Sequence, residues 1–81
     1  MIVMNYGAAI KRYRKQHQLS QEALGKRVGV TQGMIWQLET GYRSPTSRML
    51  ERLAQAFDIS LVSLISEAER LERESQKEMT P

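Results

Sequence analysis

Gln21, Gln32 and Gln37 lie close together in this chain of 81 residues. A primary amide donates and accepts hydrogen bonds at once, which matches the N6 and N7 that adenine shows in the major groove of DNA. One surface glutamine ordinarily bonds only water, but three around a single segment carry more weight. Met34, Trp36, Tyr42 and Arg43 flank them with apolar area, a phenol and a cation. Other chemistries are poorly supplied. There is no cysteine, which removes disulfides, iron–sulfur clusters and Cys-based zinc sites. His17 is the only histidine, too little for a Ser-His relay or a His-based metal centre. The carboxylates gather at solvated helical spacing near the end of the chain. No catalytic residue, metal, cofactor or small-molecule ligand is therefore expected, and the chain reads as a non-enzyme.

A surface that reads base edges must be held rigidly, and helices are what the sequence offers. No run alternates long enough for a strand. Asn5 can cap a helix through about His17. Ser20 caps a short one from Gln21 to Val28, stopped by Gly29, and Thr31 caps a third from Gln32 to about Thr40, stopped by Gly41. Thr46, after Pro45, caps a fourth from Ser47 to Phe57, and Ser60 a fifth from Leu61 into the charged tail. The expectation is an all-α bundle of five helices joined by short loops. Its domain would span 1–66, with 67–81 a charged helical extension or tail. The helical period puts Ile10, Tyr13, Leu19, Leu24, Val28, Val30, Ile35, Leu38, Leu50, Leu53, Ala54, Phe57, Ile59, Leu61, Leu64 and Ile65 in the core.

The segment Gln21–Leu38 meets three demands of helix-turn-helix geometry. Gly25 supplies a small residue where the second helix crosses the first. Gly29 supplies a turn with positive φ. Leu24, Val28, Val30, Ile35 and Leu38 lock the pair to the body. At about 100° per residue, Ile35, Leu38 and Thr31 share one face of the third helix. Gly33, Gln37 and Thr40 share the other, flanked by Gln32 and Trp36 on one side and Met34 on the other. That outer face carries no charge, where a merely solvated face would hold Lys and Glu. Charge is placed elsewhere: residues 1–57 hold nine Lys/Arg against three acids, residues 58–81 three against six. A basic body with an acidic end favours a polyanion partner for the body alone. No apolar run approaches the roughly 20 residues of a membrane helix, and Met1–Met4 is too short for a secretory core.

The motifs Ile10-x-x-Tyr13-Arg14, Leu19-Ser20-Gln21-Glu22-Ala23-Leu24, Val28-Gly29-Val30-Thr31-Gln32, Ile35-x-x-Leu38-Glu39-x-Gly41, Arg43-x-Pro45-Thr46 and Leu53-Ala54-x-Ala56-Phe57-x-Ile59-Ser60 occur in order. Together they resemble the Cro/repressor-type helix-turn-helix transcriptional regulators, also called the xenobiotic-response-element type, over about residues 5–66. The resemblance implies a lambda-repressor-like domain whose second and third helices form the motif. It implies base reading by Gln32, Gly33 and Gln37; Trp36, on the flank, is suited by its own chemistry either to sugar-phosphate and thymine methyl or to covering a neighbouring loop. It implies a phosphate clamp at Gln21, a phosphate contact at Arg43, and a structural ion pair between Arg14 and Glu39. Thr31, Thr40 and, beside Arg43, Tyr42 are further candidates for the phosphate backbone by position. Three residues depart from the family pattern. Gly25 stands where alanine is usual, Gly33 where a base-reading side chain is common, and Ser47 at a usually apolar position.

Leu61, Leu64, Ile65, Ala68 and Leu71 form an apolar stripe that outlasts the body, as a homodimer contact would. The expectation is a small dimeric repressor in the cytoplasm, associated with the nucleoid, reading palindromic double-stranded DNA. Two other readings share the fold: an antitoxin or restriction-system controller, and a protein-interaction module that no longer contacts DNA.

Overall fold

The structure, a computed structural model, describes residues 4–79. The expectations for Met1–Val3 and for the last two residues of the extension lie outside that range. Five helices follow one another: α1 (Tyr6–Gln16), α2 (Gln21–Val28), α3 (Gln32–Thr40), α4 (Ser47–Ala56) and α5 (Leu61–Met79). The described residues contain no strand.

Each start is set by a side chain that accepts from the third residue onward, satisfying an amide the helix itself leaves unpaired. Asn5 accepts from Ala8 N–H, Ser20 from Ala23, Thr31 from Met34, Thr46 from Met49 and Ser60 from Ser63. The stops differ in kind. Gly29 and Gly41 take left-handed backbone, φ 79° and 84°, and end α2 and α3. Past α1 and α4 the same conformation falls on Gln18 and Asp58.

The core is Ala9, Ile10, Leu24, Val28, Ile35, Leu38, Leu50, Leu53, Ala54, Phe57, Leu64 and Ala68. Tyr13, Leu19, Val30, Ile59 and Leu61 pack around it half-buried, whereas Ile65, also expected in the core, is half-buried outside that cluster. Helix α1 lies between α3 and α5, while α2 packs on α3 and α4. Ser47 is exposed at the first turn of α4, so its hydroxyl takes nothing from the core.

One expectation about the end of the chain changes. Helix α5 runs unbroken through position 66, and Ala68 and Leu71 beyond it pack on the core. Leu64 and Ala68, expected at a subunit contact, are fully buried within the protomer and offer no surface to a second copy. The reason is local. The Asn5 N–H donates to the Ala68 carbonyl at 3.1 Å, an approach of α1 to mid-α5 that a larger residue would obstruct. Arg12 reinforces the same contact through Glu67, 3.4 Å away. Beyond the body, α5 is sustained by pairs along its own surface, Arg70 with Glu67 and Glu74, and Arg73 with Glu69.

Candidate nucleic-acid interface

Helix α3 buries Ile35 and Leu38 and turns Gln32, Gly33, Trp36 and Gln37 away from the core. Its placement rests on two backbone approaches. A Cβ on Gly25 would stand 2.6 Å from the Val30 carbonyl oxygen, so α2 meets the turn leading into α3 at a distance only glycine allows. A Cβ on Gly7 would stand 2.6 Å from the Glu39 carbonyl oxygen and 2.8 Å from that of Leu38, fixing α1 against the end of α3. Sequence reasoning found the first approach and missed the second. A glycine in a first helical turn gives no hint of what crosses it.

Beneath the outer face lies the Arg14–Glu39 pair. Arg14 Nε donates to Glu39 Oε2 at 2.6 Å and Nη2 to Oε1 at 3.0 Å, a forked arrangement that fixes direction as well as distance. Nη1 donates to the Leu19 carbonyl at 2.9 Å, tying in the α1–α2 loop. The side chains are only 12% and 4% exposed. The hydrogen bonds to Glu39 raise the Arg14 pKa above its ordinary value, against the opposing effect of burial. Gln21, at the start of α2, donates through Nε2 to Glu39 Oε1 at 3.2 Å. Three helices thus meet at one carboxylate. One Gln21 amide hydrogen is committed there, and the other stays available beside the α2 N-terminus.

The exposed residues are organised among themselves. Trp36 stacks on Tyr42, ring centroids 5.3 Å apart and planes 26° from parallel. Both remain open, Trp36 at 47% and Tyr42 at 80%. Arg43, on the α3–α4 loop, donates from Nε to Gln37 Oε1 at 3.2 Å. Gln32 and Gly33 are exposed at the helix start, and a Cβ on Gly33 would meet only Thr31 Oγ1 at 3.8 Å. Thr31 uses its oxygen as the cap acceptor and keeps its hydroxyl hydrogen. Thr40 differs from expectation: its hydroxyl donates to the Trp36 carbonyl at 2.8 Å, so that hydrogen is directed into the helix and away from a phosphate. His17 closes α1 by bonding the Tyr13 carbonyl through Nδ1 at 2.9 Å, its ring over Phe57.

The arrangement is therefore an uncharged face of amides and aromatics on α3, bordered by the α2 N-terminus and the cation of the following loop. No group of three metal-ligating side chains occurs among the described residues, and none of their helices is long and apolar enough to cross a membrane. The two aromatic and amide–guanidinium contacts between α3 and the loop were not anticipated. The only sequence signal for them is the six-residue spacing, Trp36 to Tyr42 and Gln37 to Arg43, across the Gly41 turn.

A family model described as helix-turn-helix matches residues 10–64. An uncharacterised helix-turn-helix-type transcriptional regulator from Sinorhizobium fredii is 38% identical over 60 residues, 74% of this chain and 78% of its own length. The antitoxin PezA of Streptococcus pneumoniae is 28% identical over 74 residues, 91% of this chain and 47% of the antitoxin. The chain thus spans about half the length of that relative. Among solved structures, the P22 c2 repressor in complex with a synthetic operator aligns with a TM-score of 0.70 at 33% identity, covering 78% of this chain and 96% of that one.

Proposed function

The chain belongs to the helix-turn-helix family, of the Cro/repressor type, and from that premise we propose that it binds double-stranded DNA as a small homodimeric transcriptional repressor of a palindromic operator, acting in the cytoplasm at the nucleoid. One observation carries the reading: α3 buries Ile35 and Leu38 and turns an uncharged face of Gln32, Gly33, Trp36 and Gln37 outward. In the major groove, Gln32 and Gln37 meet base edges, Gly33 lets the backbone come close, and Trp36 lies against sugar or a thymine methyl. The second Gln21 hydrogen, the Thr31 hydroxyl and the Tyr42 phenol face the flanking phosphates, helped by the positive end of the α2 dipole. The likeness to an operator-bound repressor supports this.

A dimer fits the size of the reading face, since one short helix spans only three or four bases. Two reading helices roughly 34 Å apart would address consecutive turns of the duplex. With Leu64 and Ala68 buried, the large apolar side chain that α5 leaves exposed is Val62, at 71%, with Leu61 and Ile65 partly open within a turn of it.

Selection of the purified protein against a random duplex library at physiological salt tests the reading. A two-fold symmetric motif with half-sites one turn apart is the expected result. Gln37→Ala should then lose about 1–3 kcal/mol on that site and far less on random DNA; equal losses would remove Gln37 from base reading. A second reading, in which the chain acts as the DNA-binding part of an antitoxin, is favoured by the PezA alignment, which extends over 91% of the chain.

A further inference from the structure

Gln37 does not present a free amide. Arg43 Nε donates to its Oε1 at 3.2 Å, and the Arg43 backbone N–H donates to the Gln37 carbonyl, also at 3.2 Å. The loop residue is thus folded back onto the helix residue by two bonds. Turned the other way, the amide would set its NH2 against the Arg43 Nε–H, donor against donor, so the bond fixes which end points outward. That end is Nε2, with two hydrogens and no acceptor. Arg43 itself is exposed, and its Nη1 and Nη2 have no partner among the described residues.

We infer that Gln37 and Arg43 act as a single donor-only unit that reads guanine. The inference rests on the reading of this face as a DNA interface and changes the base that Gln37 selects. Guanine shows two acceptors in the major groove, N7 and O6. Adenine shows one acceptor and one donor, N7 and N6, so it is best met by an amide whose oxygen faces it. Here Arg43 takes one of that oxygen's two lone pairs and turns it toward the loop, and the groups the pair directs outward, Nε2, Nη1 and Nη2, are all N–H. Against adenine the unit would meet the N6 donor with another donor; against guanine each acceptor finds a hydrogen. The guanidinium is planar and fork-shaped, so with Nε engaged its Nη edge remains suited to paired acceptors. On this account Arg43 determines specificity, with Gln37 as its partner.

The full chain, as wild type, Gln37→Ala and Arg43→Met, is selected against the same random duplex library. The base addressed is the position whose preference disappears in Gln37→Ala. Wild type should retain guanine there, and changing that guanine to adenine should raise Kd by about 5- to 150-fold. Methionine matches the hydrocarbon part of the arginine side chain without its donors. It frees Gln37 Oε1, so Arg43→Met should move the preference at that position from guanine to adenine. Two results overturn the inference while leaving DNA reading intact. One is adenine at that position in wild type. The other is a guanine preference that survives Arg43→Met while all duplexes weaken alike, as loss of a phosphate contact would produce. If wild type enriches no sequence, DNA reading itself falls, and the inference with it.

Discussion

Replacing Arg14 by methionine should cost about 3–5 kcal/mol of folding stability, because it strands a carboxylate that has almost no access to water. The Glu39 side chain is 4% exposed, and of the three protein N–H bonds it accepts only the one from Gln21 would remain, while the Leu19 carbonyl would lose its bond from Arg14 as well. A chain of 81 residues has about 4–12 kcal/mol in total, so the substitution removes a large part of it. Glu39→Gln should cost much less. It keeps an oxygen facing the guanidinium, and Arg14, at 12% exposure, is near enough to the surface to recover some hydration. Replacing both, Arg14→Met with Glu39→Leu, should restore most of the loss, because neither charge then remains buried. Urea unfolding followed by far-ultraviolet circular dichroism reads all three, provided the slope stays constant and only the midpoint moves. An Arg14→Met cost below about 1 kcal/mol would place the pair among ordinary surface bridges. A double variant no better than Arg14→Met would show that the loss came from packing.

Gly25→Ala and Gly33→Ala should move stability in opposite directions. Alanine gains about 1 kcal/mol of helix propensity at either site, but at position 25 its Cβ meets the Val30 carbonyl at 2.6 Å and the net effect is a loss, whereas position 33 has room. Thermal melts of the two variants check the signs, and a fall in DNA affinity for the more stable Gly33→Ala would register the close backbone approach proposed there. The Arg70 hydrogen bond, opposed by burial and aided by the charges of Arg70 and Arg12, lowers the Glu67 pKa. A carboxylate with a lowered folded pKa stabilises the fold above its unfolded value of about 4.3 and loses that contribution as pH falls through the folded one. Wild type should therefore lose more stability on acidification below about pH 4.3 than Glu67→Gln does, read as urea midpoints at successive pH values.

The helices were legible because each begins at a side chain whose local bond does not depend on the rest of the fold. Ser20, Thr31 and Thr46 would cap wherever the chain left an amide unpaired, and Gly29 and Gly41 end helices through backbone freedom alone. The apolar period located Ile10, Leu24, Ile35, Leu38 and Leu53 for the same reason. It passed over Ala9 and placed Ala68 on a stripe meant for a second copy, since alanine suits an exposed helix as well as a buried one and only the neighbouring element decides. Here α1 and α5 approach closely enough for Asn5 N–H to reach the Ala68 carbonyl. Gly7 escaped notice similarly, its role being set by two carbonyls of α3 more than 30 residues away in sequence. On the outer face, residue types were readable but their mutual bonds were not. Nothing in the period of α3 reveals that Gln37 Oε1 is taken by a residue from the loop beyond it.

If the uncharged face of α3 reads bases as proposed, its orientation on a basic body must come from within, because exposed charges would attach it to phosphate in many poses. Apolar contacts between α3 and its neighbours set distance well but resist rotation about the helix axis poorly, since dispersion is nearly non-directional. Directional constraints are supplied at both ends of α3. At its start, Gly25 admits the turn carbonyl and Thr31 caps. At its end, Gly7 admits the Leu38 and Glu39 carbonyls, while Arg14 and Gln21 hold the Glu39 carboxylate from α1 and α2. One residue of helical phase is about 100°, so even a modest roll carries Gln37 off any base it addresses. On the proposed reading, Gly7, Gly25 and Arg14, which lie away from the duplex, would therefore govern how selectively it is read. Loosening any one of them should erode the difference between cognate and random DNA before it erodes the binding common to both.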